Sequence, residues 1–520
     1  MSGLRDRSRR SRWMACFVVA AAALGVNAAS AVAAPHVEIV TQGAFPGGPT
    51  PSNTHYFHGI QEAVEATKKG DWVLIEPGDY KEEVKVTSAH SHIHIRGMNR
   101  NEVILDGQNE VVPGGRNGLE VIKADDVWVE NMTSRNFERE CLNENDANCE
   151  NESAGNEFWW TGGDGSGKVG ARGWWGRYLT AYATGADGGY GIFAQNETIG
   201  AWEHIYASGF NDSGIYIGAC QECKALVNDA TIENNAVGYS GSNSGGELVI
   251  ENSVFKHNSS GIAPNGENPG DPPPPSDGEC HRHNVAHPNP TPHFSSTDIE
   301  RCEIFRKNLI TENDNLTAPA NPSTIKAPFG AGILLPGTYA MDIEENTISD
   351  NPSDGVMAFE YPNPFPPQES TIYFQLAGNK IAKNVFENNG YEGGFGAGDI
   401  FMQGGLYGAG KSQSTMNCIG TGAEANTFAD KSVPSQTELE TTWGCQNATT
   451  PNPNEGPQAI GYILENQEKS EDERTPTDQP PPGEQETMPH PCAGVPADPL
   501  CPTEESEPYS RRNKAKSKHS

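Results

Sequence analysis

Asp187 and Asp212 stand just ahead of two glycine-led segments, Gly191-Ile192-Phe193 and Gly214-Ile215-Tyr216, whose glycines are 23 residues apart. Carbohydrate cleavage needs paired carboxylates, as acid and base or nucleophile, or a basic residue helped by a cation that neutralises a uronate. If the two segments lie on successive turns of a repeating structure, the two carboxyls approach the ~5–5.5 Å separation of a retaining hydrolase pair. Asp354, directly before Gly355, would lie several turns away. Asp also suits turn corners for purely local reasons. Close by, Trp159, Trp160, Trp174, Trp175, Arg177 and Tyr178 concentrate aromatic surface. Sugar C–H edges stack on such faces, and large aromatics equally anchor loops by burial. The expected catalytic residues are therefore Asp187 and Asp212. The expected substrate-binding residues are Tyr190, Trp174, Trp175, Arg177 and Tyr178, in a groove beside the two aspartates.

Other chemistry is less well specified. His281, His283, His287 and His293 with Cys280 hold zinc-type donors, but in a Pro-rich stretch without a Cys/His framework. The acids from Glu144 to Glu152 would take calcium outside the cell, or simply face water. No other cofactor is implied, because EF-hand and phosphate-loop spacings do not occur in usable contexts.

The elements that would position these residues show in the spacing. Gly191, Gly214, Gly238 and Gly261 each precede strand-type residues at steps of 23, 24 and 23, and Gly332 and Gly355 are again 23 apart. Gly118 lies 73 before Gly191, close to three such steps. A second element follows most of these glycines, as in ALVNDATIENN (225–235), LVIENSVFKHN (248–258) and MDIEENTISDN (341–351). Aligned, Asn131, Asp229, Asn252, Asn308, Asn346 and Asn384 form one column. Asn136, Asn235, Asn258, Asn313, Asn351 and Asn389 nearly form a second. About 23 residues leave room for two or three short strands per repeat and no helix, which predicts stacked coils of a β-solenoid. Asn at the bends tolerates left-handed backbone and can hydrogen-bond along the stack. Apolar spacing over 57–69 predicts one short helix ahead of the coils.

With the entry-coil text IQEAVEATKKGDWVLIEPGDYKEEVKV (60–86) and the repeats over 238–265, the chain resembles the secreted right-handed parallel β-helix proteins of the pectin-lyase-like superfamily, over roughly residues 55–430. The resemblance implies an all-β right-handed parallel β-helix with a short N-terminal capping helix. That superfamily includes lyases, hydrolases, epimerases and proteins with no established reaction, so fold does not name an activity. The Asn-Thr-Asp and Arg-Ile-Lys stretches of pectate lyases and polygalacturonases are not found, and no catalytic residue carries over.

Residues 1–33 read as an export signal, with Arg5, Arg7, Arg9, Arg10 and Arg12 ahead of an apolar run and Ala31-Val32-Ala33 as the cleavage site. Its removal takes away five Arg and one Asp, leaving 31 basic against 68 acidic residues. The whole chain carries −33, which makes nucleic acid and anionic membrane improbable partners. No later run is apolar enough for membrane insertion, and a secreted monomer is expected. Ten cysteines of the exported part form near-neighbour couples, which predicts disulfides of Cys141 with Cys149, Cys220 with Cys223, Cys280 with Cys302, Cys418 with Cys445 and Cys492 with Cys501. The domain plan is one β-helix over 34–446, interrupted by loops at 139–175, 263–298 and 404–445. A Pro-rich acidic tail over 447–520, with scarcely an apolar residue, is expected to be disordered. Two functions fit this plan: binding and cleavage of an extracellular polysaccharide along the rod, or a non-catalytic surface or matrix spacer or adhesin.

Overall fold

The computed structural model describes residues 35–140, 154–162, 171–220, 223–242, 244–265, 303–338, 340–359, 376, 379–394, 396–403, 417–420, 422–429, 445–446 and 456–502. The export signal, the acids 144–152 and the four histidines of 281–293 lie outside these residues. So do Cys141 and Cys149, and likewise Cys280 and Cys302, so the two disulfides expected of them fall outside the described residues.

One coil shows how the chain winds. Ser213–Gly218 forms a strand, the Cys220–Cys223 disulfide closes the corner, and Lys224–Glu233 runs along two further sides. Val237–Ser242 then pairs in parallel directly on Ser213–Gly218. Repetition builds a 10-stranded sheet, here sheet B, and a 21-stranded sheet, sheet A, that folds over the remaining two sides. Among the described pairings only Asn417–Ile419 with Cys445–Gln446 is antiparallel, and there Cys418, itself disulfide-bonded, stands opposite Cys445. This is the expected right-handed parallel β-helix. Cys492 and Cys501 form a further expected bridge.

The glycine repeat has a steric cause. Gly191, Gly214, Gly238, Gly261, Gly332 and Gly355 stack in one column of sheet B. A Cβ at Gly332 would stand 2.7 Å from the carbonyl oxygen of Gly355, and one at Gly355 2.6 Å from that of Asp399. A side chain at either position meets the backbone of the next coil, which would have to shift to admit it. Gly118 belongs to the same column, but only Glu157 separates it from Gly191. The 73 residues are thus two long steps rather than three, 39 residues to Glu157 and 34 more to Gly191.

The bends correct the first asparagine column by one residue. Asn131, Tyr178, His204, Asp229, Asn252, Lys307, Glu345 and Lys383 all adopt φ of 51–57° and occupy one corner of sheet A. Asn308, Asn346 and Asn384 follow that corner and point inward, where each side-chain amide donates to the next coil's Asn carbonyl at 3.0, 3.0 and 3.1 Å, ending on Asn426. The second column is a true inner ladder from Asn235 through Asn258, Asn313, Asn351 and Asn389 to Asp399. Asn136 stands one position before that ladder, in the left-handed conformation at φ 61°. These amides satisfy buried backbone that a tight bend leaves without ladder partners.

Helix α1, Ile60–Ala66, caps the first coils with Ile60, Ala63 and Val64 buried. The Glu82 carboxylate accepts from the N–H groups of Ile60 and Gln61 at 2.8 and 3.0 Å, filling positions left open at a helix start.

Two expectations about organisation fail. Part of the presumed loop 139–175 is coil: Asn156–Thr161 lies in sheet B, and Trp174–Tyr182 in sheet A. The repeat was hidden there because Glu157 takes a glycine position and Tyr178 an asparagine-type bend. Within 404–445, Asn417–Ile419 and Thr427–Phe428 are also strands. The tail is not wholly without structure either. Helix α2, Gly456–Glu473, places Tyr462 and Ile463 against Leu334, Met357 and Phe401 on sheet B. Arg474 donates to the carbonyls of Thr324, Ala318 and Pro319. The following segment reaches the first coils, where Arg96 donates to Pro491 and Ala493, and Cys492, Val495 and Cys501 pack on Val37, Ile39, Trp72 and Leu74. Composition argues for disorder only when a segment must build its own core. This one borrows the solenoid's.

Candidate functional site

Asp187 and Asp212 do share a corner on adjacent coils: the Asp212 N–H donates to Gly189 O at 3.2 Å and that of Asn211 to Gly188 O at 2.8 Å. Their carboxyls have different surroundings. Asp212 Oδ1 accepts from the Ser213 hydroxyl at 3.0 Å and Oδ2 from the Asn321 amide at 2.7 Å, so both oxygens are engaged by the scaffold. Asp187 is half-buried, and burial pushes its carboxyl up against the pull of Arg139. Its acidic neighbour is Glu138, 4% exposed and pushed up to about 7 by burial and then by the charges of Asp187 and Asp478. Sequence reading missed Glu138, which sits just past the strand Val127–Phe137 with nothing in the text to signal its burial. Asp354 is fully buried and accepts from the Tyr462 hydroxyl at 2.8 Å, under α2.

The aromatic candidates divide between inside and outside. Alternation along Trp174–Tyr182 turns Trp174 and Gly176 inward and Trp175 and Arg177 outward. Trp174 is wholly buried in the core, edge-on to Trp202 at 4.8 Å, which removes it from any surface role. Tyr190 is 3% exposed in a cluster with Trp159, Phe193 and Tyr216, with the Arg139 guanidinium 5.4 Å from its ring. It offers no open platform.

The outer face of sheet A does. Trp72, His94, Trp128 and Trp175 occupy one register column on successive coils. Their rings stack at 3.9, 5.8 and 5.2 Å with interplanar angles of 6°, 16° and 17°. The next positions in that column are Ala201 and Leu226. The stack therefore ends at Trp175, and the coil above supplies only a methyl group against its indole. Trp128, Trp175, Ala201 and Leu226 are all half-buried rather than covered.

Polar groups flank this step. Two positions along, the column reads Arg96, Glu130, Arg177, Glu203 and Asn228. Glu130 is fully buried; Arg96 bonds its Oε2 at 2.8 Å and Arg177 its Oε1. Burial alone would raise the Glu130 carboxyl, but His94 at 3.7 Å and the charges of Arg96 and Arg177 outweigh it and hold it down at about 2. Arg177 is thereby fixed, with its guanidinium 5.5 Å from the Trp128 ring. At the bend, Tyr178 stacks on His204 at 4.4 Å and 17°, and His204 Nδ1 meets Asp229 Oδ2 at 2.5 Å. Burial raises the Tyr178 hydroxyl. Trp175, Arg177 and Tyr178 thus come together, but on a different side from Asp187, Asp212 and Tyr190 and not in the expected groove beside the two aspartates. Trp128 and His204 complete the group. Both were legible once VWVEN (127–131), WWGRY (174–178) and GAWEH (200–204) are aligned on the bend residue.

The interior holds further acids. Glu157, Glu197 and Glu303 are all at most 2% exposed, and burial raises each carboxyl, that of Glu303 to about 7. The Glu157 carboxylate accepts from Ser134 Oγ at 2.6 Å and Phe137 N at 3.0 Å, the work that ladder asparagines do elsewhere. Among the described residues no helix is long and apolar enough to cross a membrane.

No protein-family model matches the chain. No curated protein matches it in sequence. Similar solved structures include the A-module of an Azotobacter vinelandii mannuronan C-5 epimerase, 13% identical over 71% of this chain and 94% of that one, TM-score 0.39. A Yersinia enterocolitica family 28 exopolygalacturonase is 10% identical over 63% and 62%, TM-score 0.38. A mannuronic acid specific polysaccharide family 6 lyase from human gut microbiota is 13% identical over 78% and 91%, TM-score 0.37. At these values the likeness concerns winding and carries nothing about chemistry. The fold assignment rests on the chain's own parallel, in-register coils, which are those of a parallel β-helix.

Proposed function

We propose that this chain binds an extracellular polysaccharide on the outer face of sheet A, with one sugar ring stacked on the free face of Trp175 above Ala201. The observation that carries this reading is the end of the ring stack at Trp175, where the column drops to Ala201. Arg177, Glu203 and Asn228 line the side of that step with donors and acceptors for ring hydroxyls. Arg177 shares the Glu130 carboxylate with Arg96, which holds its fork in place before a ligand arrives. The net charge of −33 disfavours a densely anionic polymer at long range and favours a neutral or sparsely charged glycan.

Covering about 60 Å² of apolar indole and sugar surface is worth about 1.5 kcal/mol, or about tenfold in affinity. The test is affinity electrophoresis of the purified chain in neutral and uronate-containing glycans, with Trp175→Ala and Ala201→Trp. The second variant extends the stack by one ring and fills the step while leaving Trp175 in place. Both should lose about tenfold or more in affinity. Binding that survives both places the site elsewhere, and no binding to any glycan leaves the spacer or adhesin reading. The same samples, screened for unsaturated and reducing-end products with Asp187→Ala and Asp212→Ala controls, separate a binding surface from a lyase or hydrolase.

A further inference from the structure

The first coil carries a second cluster, unrelated to the sheet A step. Val37–Val40 pairs in parallel with Thr54–Phe57, and the register sets Glu38 opposite His55. His36, two residues before Glu38, falls on the same face by strand alternation. One donor atom from each of His36, Glu38 and His55 lies within 4.8 Å of the other two. His55 Nδ1 is 2.8 Å from Glu38 Oε2, and His36 Nδ1 is 3.9 Å from Glu38 Oε1.

We infer that His36, Glu38 and His55 bind one divalent cation of the zinc class. Two imidazoles and one carboxylate are the donor set of open zinc sites, whereas calcium and magnesium prefer oxygen alone. Tetrahedral zinc at about 2.0–2.1 Å from each donor spaces neighbouring donors about 3.4 Å apart. The separations of 2.8 and 3.9 Å straddle that value, and both rings are exposed enough to turn, His36 at 36% and His55 at 51%. Their open side leaves a fourth position for water.

Two further observations point the same way. Glu38 is 1% exposed, so its two carboxylate oxygens face the His55 and His36 rings rather than bulk water. Asp71, 4% exposed, accepts from His36 N at 2.7 Å and Lys68 N at 2.7 Å, so it fixes the backbone that presents His36. That is the supporting part outer groups play around metal ligands. A bound cation would tie Val37–Val40 to Thr54–Phe57 and close the exposed stretch 43–52 between them.

The experiment uses the whole chain without a histidine tag, stripped by chelator and titrated with zinc chloride against a chromophoric competitor. One equivalent should bind at the first coil and raise the melting temperature. His36→Ala, His55→Ala and Glu38→Gln should each weaken binding by about 10–100-fold. A variant with alanine at His281, His283, His287 and His293 should bind as the parent does. X-ray absorption at the zinc edge of the loaded parent should show two imidazole ligands, a readout that needs no variant to fold. The inference is overturned if the parent takes up no zinc, if its spectrum lacks the two imidazoles, or if the fourfold variant loses the zinc while His36→Ala and His55→Ala keep it. Failure of glycan binding leaves this result untouched.

Discussion

Replacing Glu303 by Gln should make the protein more stable at neutral pH and leave it unchanged in acid. Glu303 is 1% exposed inside the coil, opposite Leu248 of the preceding one, with the Tyr239 hydroxyl 3.5 Å away. Burial raises its carboxyl from 4.5 to about 7. Below pH 4.5 both folded and unfolded chains hold the proton, and the group adds no pH-dependent term. Between 4.5 and 7 the unfolded chain releases its proton first, so stability falls as pH rises. Above 7 the full difference, about 2.5 pK steps or about 3 kcal/mol, counts against the fold. Gln keeps the shape and an acceptor for Tyr239 without the charge. The assay is urea unfolding of parent and Glu303→Gln at pH 4.5, 6 and 8. The midpoints should coincide at pH 4.5 and separate in favour of Gln at pH 8. Curves that stay parallel at all three values would refute a carboxyl held protonated by burial.

Gly332→Ala should prevent close stacking of two coils, because the added Cβ meets Gly355 O at 2.7 Å; a drop in melting temperature and soluble yield checks it. Asn346→Ala removes four hydrogen bonds, with Phe305 O, Asn384 Oδ1, Asn308 N and Asn308 Nδ2, and should cost about 4 kcal/mol in urea unfolding. Arg96→Ala leaves Glu130 buried with only Arg177 and His94 as partners and frees the carbonyls of Pro491 and Ala493. It should cost about 3–5 kcal/mol and open the segment around 485–495 to limited proteolysis.

Several features were readable before any coordinate. The glycine steps registered because a Cβ has no room between stacked coils, which ties spacing in the text to a contact in space. The inner asparagines registered for the same kind of reason. Near misses came where a different residue met the same physical demand. Tyr178 and His204 take the left-handed bend at φ 53° and 54° that Asn131 and Asp229 take on neighbouring coils, so the column of asparagines broke and its alignment slipped by one. Glu157 stands where the other coils carry glycine and accepts from Ser134 and Phe137 as a ladder asparagine would, and two coils looked like a loop.

The sequence by itself determined the winding: a period near 23, glycine where coils touch and amides at the corners admit little but a stacked solenoid. Tertiary structure alone decided which side of the rod each candidate faces. Trp174 and Trp175 are adjacent and chemically alike, yet strand alternation buries one and leaves the other as the last ring of an open stack. It alone also decided that Asp212 is engaged by Asn321, 109 residues away, and that part of an apolar-poor tail would order against a surface it does not encode. Periodicity is a local property of the chain and survives in one dimension. Exposure and partnership depend on which distant segments close over a residue, and that is fixed only when the coils are stacked.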